Sequence, residues 1–284
     1  MSAANGLNRN DTGGAQAALR RCGVNVVTAF GMLVRPARHQ QRQPWPLPLQ
    51  QLAVAASGSL AIFVVVMVMA DAAAINAVAQ LPRWVIWFFD QITDFGKSGW
   101  FLWPLGIVFL ALAALPDLPR MPQLVLAAVI VRIGYLFCAV AAPGLFVNVV
   151  KHIFGRARPG VGGVVDPFLF SPFSWPAAYA SLPSGHAATA FSVLVAFGVL
   201  WPRARTVLWI YALLIAVSRV VVNAHYPSDV LAGALVGVVG ALLVRRYFAL
   251  RRLGFSIGPD GTVHAYPGPS FKRIKSVAQK LLAQ

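Results

Sequence analysis

Ser218-Arg219-Val220-Val221-Val222-Asn223-Ala224-His225-Tyr226-Pro227-Ser228-Asp229 joins two long apolar stretches of this chain. An arginine near the end of an apolar stretch needs a reason, because lipid excludes unpaired charge. Pro227 suits the first turn of a following helix, where a missing N–H costs little. His225 and Asp229 then stand one helical turn apart at that helix start. The carboxylate is placed to hold one imidazole N–H and leave the other ring nitrogen free to attack. A purely structural histidine–aspartate pair would use the same residues, so the run has to be weighed with the rest of the chain.

Two other runs stand at the ends of apolar stretches: Lys151-x6-Arg158-Pro159 and Pro183-Ser184-Gly185-His186. Lys151 and Arg158 are nearly two helical turns apart, so both project from one face if the helix continues to Pro159, which then ends it. Two such cations suit a phosphate, Arg158 bidentately and Lys151 as a point charge. Interfacial snorkelling explains them equally well. Ser184 fits a helix N-cap, Gly185 admits close backbone approach, and the first-turn N–H groups make an anion site. His186 sits where it can protonate an oxygen leaving phosphorus; the alternative is a histidine that merely caps a helix.

The matrix around these runs reads as membrane. Hydrophobic residues make up 58% of the 284 and charged residues 11%, against about a quarter charged in a soluble domain. Six stretches, approximately 52–70, 100–115, 124–150, 186–201, 206–222 and 231–243, are apolar enough to span a bilayer, the shorter ones by borrowing flanking residues. The expected fold is therefore all-α, a polytopic membrane bundle with six transmembrane helices. Pro143-Gly144 predicts a kink in the third span. Arg132, in the same span, reads as structural or snorkelling. Cys22 and Cys138 lie far apart in different environments, with no disulfide or metal-type spacing.

Net charge is +16, but seventeen of the 24 Lys/Arg fall in segments 1–51, 116–121, 202–206 and 245–284. That asymmetry predicts both termini in the cytoplasm and the three runs on the extracytoplasmic face. It also argues for anionic lipid, and against nucleic acid, as the basic segments' partner. Residues 24–34 have the length of a signal-peptide core, but arginines rather than a cleavage site follow, so they read as a cytoplasmic or interfacial segment. Phe271, Ile274, Val277, Leu281 and Leu282 recur at helical spacing among lysines and an arginine, the pattern of an amphipathic helix on a membrane face. The expected organisation is a cytoplasmic segment 1–51, a membrane domain 52–246 and a basic tail 247–284.

All eleven motif positions, in chain order and on one predicted face, resemble the signature of the type 2 phosphatidic acid phosphatase superfamily, which includes soluble acid phosphatases and vanadium haloperoxidases. The resemblance covers approximately residues 52–246, and Asp90-Gln91-Ile92-Thr93-Asp94-Phe95-Gly96 is similar to a segment of bacterial members. It implies a haloperoxidase-like core and a bacterial plasma-membrane lipid phosphatase that needs no metal or other cofactor. It further implies that His225 attacks phosphorus, Asp229 orients it, and His186 protonates the leaving group. Lys151, Arg158, Arg219, Ser184 and the Gly185 amide would hold the phosphoryl oxygens. The other outer-face acids, Asp71, Asp90, Asp94 and Asp166, suggest no metal cluster. Undecaprenyl diphosphate, phosphatidate, phosphatidylglycerol phosphate and lipid A phosphate are equal candidates. A phosphotransferase using the same intermediate and a non-catalytic protein of the same fold are the alternatives. Residues 160–182, rich in Phe and Trp, read as a lid or tail guide, or as ordinary interfacial anchors.

Overall fold

The computed structural model describes residues 10–34, 36, 45–115 and 118–282. Helix α1 (Asn10–Val34) precedes α2 (Leu49–Val65), which runs through a π-helical turn, Val66–Ala70, into α3 (Asp71–Val78). Then come α4 (Arg83–Thr93), a tight turn at Asp94–Gly96, α5 (Gly99–Ala113) and the long α6 (Arg120–Phe154). Helices α7 (Gly185–Leu200), α8 (Arg205–Val221) and α9 (Pro227–Leu250) complete the bundle. A small antiparallel hairpin, β1 (Phe255–Ile257) with β2 (Val263–Ala265), and α10 (Phe271–Leu282) follow.

Among the described residues, five helical stretches are long and apolar enough to cross a membrane: Leu49–Val78, Arg83–Ala113, Arg120–Phe154, Pro202–Val221 and Pro227–Leu250. The remaining expected span, α7, has 16 residues, about 24 Å at 1.5 Å per residue. Leu60, Ile62, Met69, Trp103, Ile107 and Leu145 are all exposed, which suits helices whose outer faces meet lipid rather than water.

Helix α7 is the hub, packed against α9, α8 and α6. Its approach to α9 depends on small residues. A Cβ at Gly233 would lie 2.3 Å from the Ser184 carbonyl oxygen, and one at Gly237 would lie 2.4 Å from that of Ala188. Helices without large side chains between them pack backbone to backbone, the usual solution where no water drives association. The second and third motif runs are thereby held together. Pro143 does not break α6; it sits buried against α9, where a Cβ at Gly240 would come within 2.5 Å of its ring.

The 24–34 run belongs to α1, which docks on the bundle: Leu33 rests on Gly134 of α6, and Asn25 Nδ2 donates to the Leu115 carbonyl at 2.8 Å. Arg132 donates to the carbonyls of Ala128, Tyr266 and Pro267, so it ties α6 to the chain beyond the hairpin. Helix α9 passes residue 246 without interruption, and Phe248 and Phe255 stack edge-on against buried Tyr135. The hairpin itself has no forerunner in the sequence reading. Helix α10 forms as expected, with Val277 buried and most of its other described residues exposed.

Candidate active site

Helix α6 ends earlier than Pro159 predicts. Gly155 takes the left-handed conformation (φ 60°), and its N–H caps the Lys151 carbonyl at 3.0 Å. Any Cβ there would collide with the Ser171 carbonyl oxygen, 1.7 Å away, so a glycine has to turn the chain at this point. Lys151 therefore sits on the last helical turn while Arg158 lies on the extended segment beyond. Their expected meeting on one helix face is replaced by a folded-back loop. Arg158 N–H donates to the Ala178 carbonyl at 2.8 Å and Nε to that of Ala177 at 3.0 Å, fixing the guanidinium. Lys151, Arg219 and His225 all lie within electrostatic reach of it.

Ser184 is the N-cap of α7, its Oγ accepting from the Ala187 N–H at 3.5 Å, and its own N–H donates to the Asp229 carbonyl at 2.9 Å. His186, in the first turn, has Arg219, His225, Lys97 and Asp94 as ionisable neighbours. Behind it is Gly96, where a Cβ would fall 2.8 Å from His186 Cδ2 and 2.7 Å from Ile215 Cγ2. The Asp90–Gly96 stretch noted in the sequence thus forms one wall of the site. It also supplies Thr93, buried between α4 and α8, whose Oγ1 accepts hydrogen bonds from Arg219 Nη1 and Ser218 Oγ. Arg219 Nε is buried without a partner among the described residues.

A tight turn brings the third run together: the N–H groups of Ala224 and His225 both donate to the Arg219 carbonyl. His225 is buried, and its Nδ1 lies 2.8 Å from the Ser181 carbonyl oxygen. A carbonyl only accepts, so this contact fixes the proton on Nδ1 and leaves the Nε2 lone pair free. Asp229 was expected to do this directly, yet its Oδ2 stands 3.8 Å from Nδ1. The reason is that Ser181 lies between them, its Oγ donating to Oδ2 at 2.6 Å. Oδ2 also accepts the Tyr226 N–H at 2.9 Å, anchoring the start of α9.

The other face of Asp229 opens on a cluster that the sequence reading missed. Arg156 Nη1 donates to Asp229 Oδ1 at 2.6 Å and to Ser228 Oγ at 2.7 Å; Nη2 donates to Asp71 Oδ2 at 2.7 Å, and Nε to the Pro167 carbonyl at 3.0 Å. Asp71 accepts in addition from Ser228 N–H and Oγ. Arg156, Asp71 and Asp229 are each 0% exposed. Asp71 had been grouped with the loop acids of the outer face. Its position as a single acid within a long apolar stretch was the signal that it must point inward to a partner.

Burial pushes the His225 imidazole below its ordinary value near 6.5; Asp229 opposes this, while Arg219 and Arg158 add to it. A neutral ring with Nδ1 protonated and Nε2 free is a nucleophile. Around it, Lys151, Arg158 and Arg219 form no salt bridge with any carboxylate among the described residues. Cations gathered without a directly paired carboxylate suit an anion, and a helix N-terminus beside them adds N–H donors. Among the described residues no group of three or more His, Cys, Asp or Glu has metal-binding geometry.

The profile described as PAP2 superfamily matches residues 132–253, which contain all three runs. A lipid A 1-phosphatase of Rhizobium johnstonii is 38% identical over 174 residues, covering 61% of this chain and 71% of its own length. Escherichia coli YbjG, provisionally named an undecaprenyl-diphosphatase, is 36% identical over 104 residues, or 36% of this chain and 50% of its own. The crystal structure of Aquifex aeolicus LpxE aligns with 62% of this chain and 95% of its own, at 22% identity and a TM-score of 0.46. The chain belongs to the PAP2 superfamily.

Proposed function

We propose that this protein is an integral-membrane lipid phosphate phosphatase that works through a phosphohistidine on His225. The observation that carries the reading is the polarity of that ring: Nδ1 is committed to the Ser181 carbonyl, which leaves the Nε2 lone pair free on a ring with Arg158, Arg219 and His186 as electrostatic neighbours. In the first step the Nε2 lone pair forms the N–P bond as the P–O bond breaks, and His186 delivers a proton to the departing oxygen. In the second, His186 takes a proton from water, the new P–O bond forms, and the N–P electron pair returns to Nε2. Lys151, Arg158 and Arg219 hold the phosphoryl oxygens, where charge accumulates at the transition state, with Ser184 and the Gly185 N–H beside them. Cations of this kind do the work that a divalent metal does elsewhere, so activity is expected to survive EDTA.

Lipid substrates are favoured because the site lies at the end of a bundle with lipid-type outer faces, so a headgroup can dock while its tails stay in the bilayer. The relatives named above rank lipid A 1-phosphate first and undecaprenyl diphosphate second among substrates to try. Lys/Arg asymmetry supports an extracytoplasmic site in a bacterial plasma membrane. The same asymmetry supports α10 and the basic 247–284 segment resting on anionic lipid of the cytoplasmic face, with 52–246 as the catalytic domain.

The test is phosphate release by purified protein from a panel of lipid phosphates, beside His225→Ala. Wild type should release phosphate and the variant should lose about 10³-fold or more, as when a covalent nucleophile is removed. Equal release by both would overturn the nucleophile assignment.

A further inference from the structure

The first span makes one polar commitment to the bundle. Between Leu49 and Val65 no residue is buried, so α2 runs along the outside. The π-helical turn Val66–Ala70 then inserts one extra residue, which rotates everything after it by about 100°. Asp71 and Ile75, one turn apart, consequently face inward and are both buried. Asp71 reaches two targets, the Arg156 guanidinium and the first turn of α9 at Ser228. Arg156 in turn holds Asp229, and Asp229 with Ser181 holds the ring of His225.

Charge balance gives this chain of contacts a consequence for the chemistry. Asp229 beside Arg156 alone would form a neutral pair, with little left to attract a cation. With Asp71 also bound to Arg156, the buried cluster carries a net charge of about −1. When Nε2 of His225 attacks phosphorus while Nδ1 keeps its proton, the ring acquires a positive charge. We propose that Asp71 is a positioning residue for the nucleophile: by compensating Arg156 it leaves Asp229 an uncancelled negative charge opposite the ring that becomes cationic. Ionic contact with α3 also fixes the start of α9, which carries Asp229. This inference rests on His225 being the nucleophile.

The charged groups facing His225 from other elements are Asp229 on α9, Arg219 on α8, Arg158 on the α6–α7 loop and His186 on α7. None of these four residues is itself substituted when position 71 or 156 is changed, so changes in the cluster's charge should be read in the acid limb of kcat/KM, which reports the free enzyme's nucleophile. Asp71→Asn keeps the shape and removes one negative charge. It should lower kcat about 10–100-fold through loss of alignment, with KM altered little, and move the acid limb to lower pH. Arg156→Gln removes the positive charge but, unlike an alanine, keeps amide N–H donors for the two carboxylates, and should move the limb the opposite way. The double variant Asp71→Asn/Arg156→Gln restores the net charge and should return the limb toward its wild-type position. Asp71→Glu should hold it there.

A merely structural salt bridge would lower folded yield and melting temperature in every variant without this alternation of sign. If Asp71→Asn does not accumulate in membranes, the limbs of Arg156→Gln, the double variant and Asp71→Glu decide the matter on the same pattern. Limbs that coincide across the folded variants, or shift all in one direction, would overturn the role of Asp71 while His225→Ala still inactivates the enzyme. Activity in His225→Ala would instead overturn the reading on which it stands.

Discussion

Two arginines, Arg156 and Arg219, show how differently one side chain is used on the two sides of His225. Arg156 is 0% exposed and every guanidinium nitrogen donates to a carboxylate, hydroxyl or carbonyl of the protein. Arg219 is 7% exposed, bonds Thr93 through Nη1, and keeps Nε without a partner among the described residues. The first is complete without a ligand and so belongs to the scaffold. The second is incomplete, lies near Arg158 with no carboxylate in direct contact among the described residues, and is open to an entering anion. Buried cations that are fully matched specify structure, whereas buried cations left short of partners specify a ligand.

The contrast breaks down if the two arginines respond alike to truncation. Arg156→Ala leaves Asp71 and Asp229 buried without their counter-ion, a loss of about 3–5 kcal/mol. Little folded protein should be recovered, as size-exclusion chromatography in detergent would report. Arg219→Ala should fold, with a melting temperature close to that of wild type, and lose about 10²–10³-fold in kcat/KM, as when one oxyanion-stabilising donor is removed. A well-folded, active Arg156→Ala, or an Arg219→Ala that fails only by unfolding, would contradict the division of labour drawn here.

Gly96 sharpens the comparison on the ligand side. Its missing Cβ is what lets His186 and Ile215 approach the Asp94–Gly96 turn, since an added methyl would lie within 2.8 Å of both. Gly96→Ala should therefore displace the His186 ring while leaving the Arg156 cluster untouched. We expect a kcat loss of about 10–100-fold from a misplaced general acid, largest for substrates with poor leaving groups, and near-normal retention of phosphate or vanadate as competitive inhibitors. An unaltered rate dependence on leaving-group pKa would show that the ring is not the acid.

The candidate ligand side was legible in the sequence because ionisable residues at the ends of apolar stretches have few structural explanations, and six of them fell within the eleven motif positions. The scaffold side was not. Arg156 sits two residues before Arg158 and carries no pattern of its own, and its partner Asp71 is 85 positions away. Only the π turn, which no periodicity rule predicts, rotates that acid inward. The end of α6 was misplaced for a related reason. A proline announces where a helix cannot continue, but Gly155 reverses the chain first because the returning Ser171 strand leaves no room for a side chain. Similarly, the His225–Asp229 spacing announced a pair, which stands at 3.8 Å, but not Ser181, which arrives from the loop to bond both. Each miss is a tertiary contact between segments distant in sequence.

The smallest effect tests which side of the ring governs its proton. Burial and the cations Arg219 and Arg158 lower the pKa of His225, and Asp229 raises it; the balance lies below the ordinary value near 6.5. Between the native value and about 6.5 the folded protein then keeps this ring neutral while the unfolded chain protonates it. Stability contributed by the neutral ring is thus full above that range and declines as pH falls through it, because the unfolded state binds the extra proton. Activity should follow the same sign, with the acid limb of kcat/KM lying on the acid side of 6.5 and thermal stability falling over the same interval. An acid limb above 6.5 would mean that the negative cluster of Asp229, Asp71 and Arg156 outweighs desolvation. The scaffold side would then set the protonation of the nucleophile as well as its position.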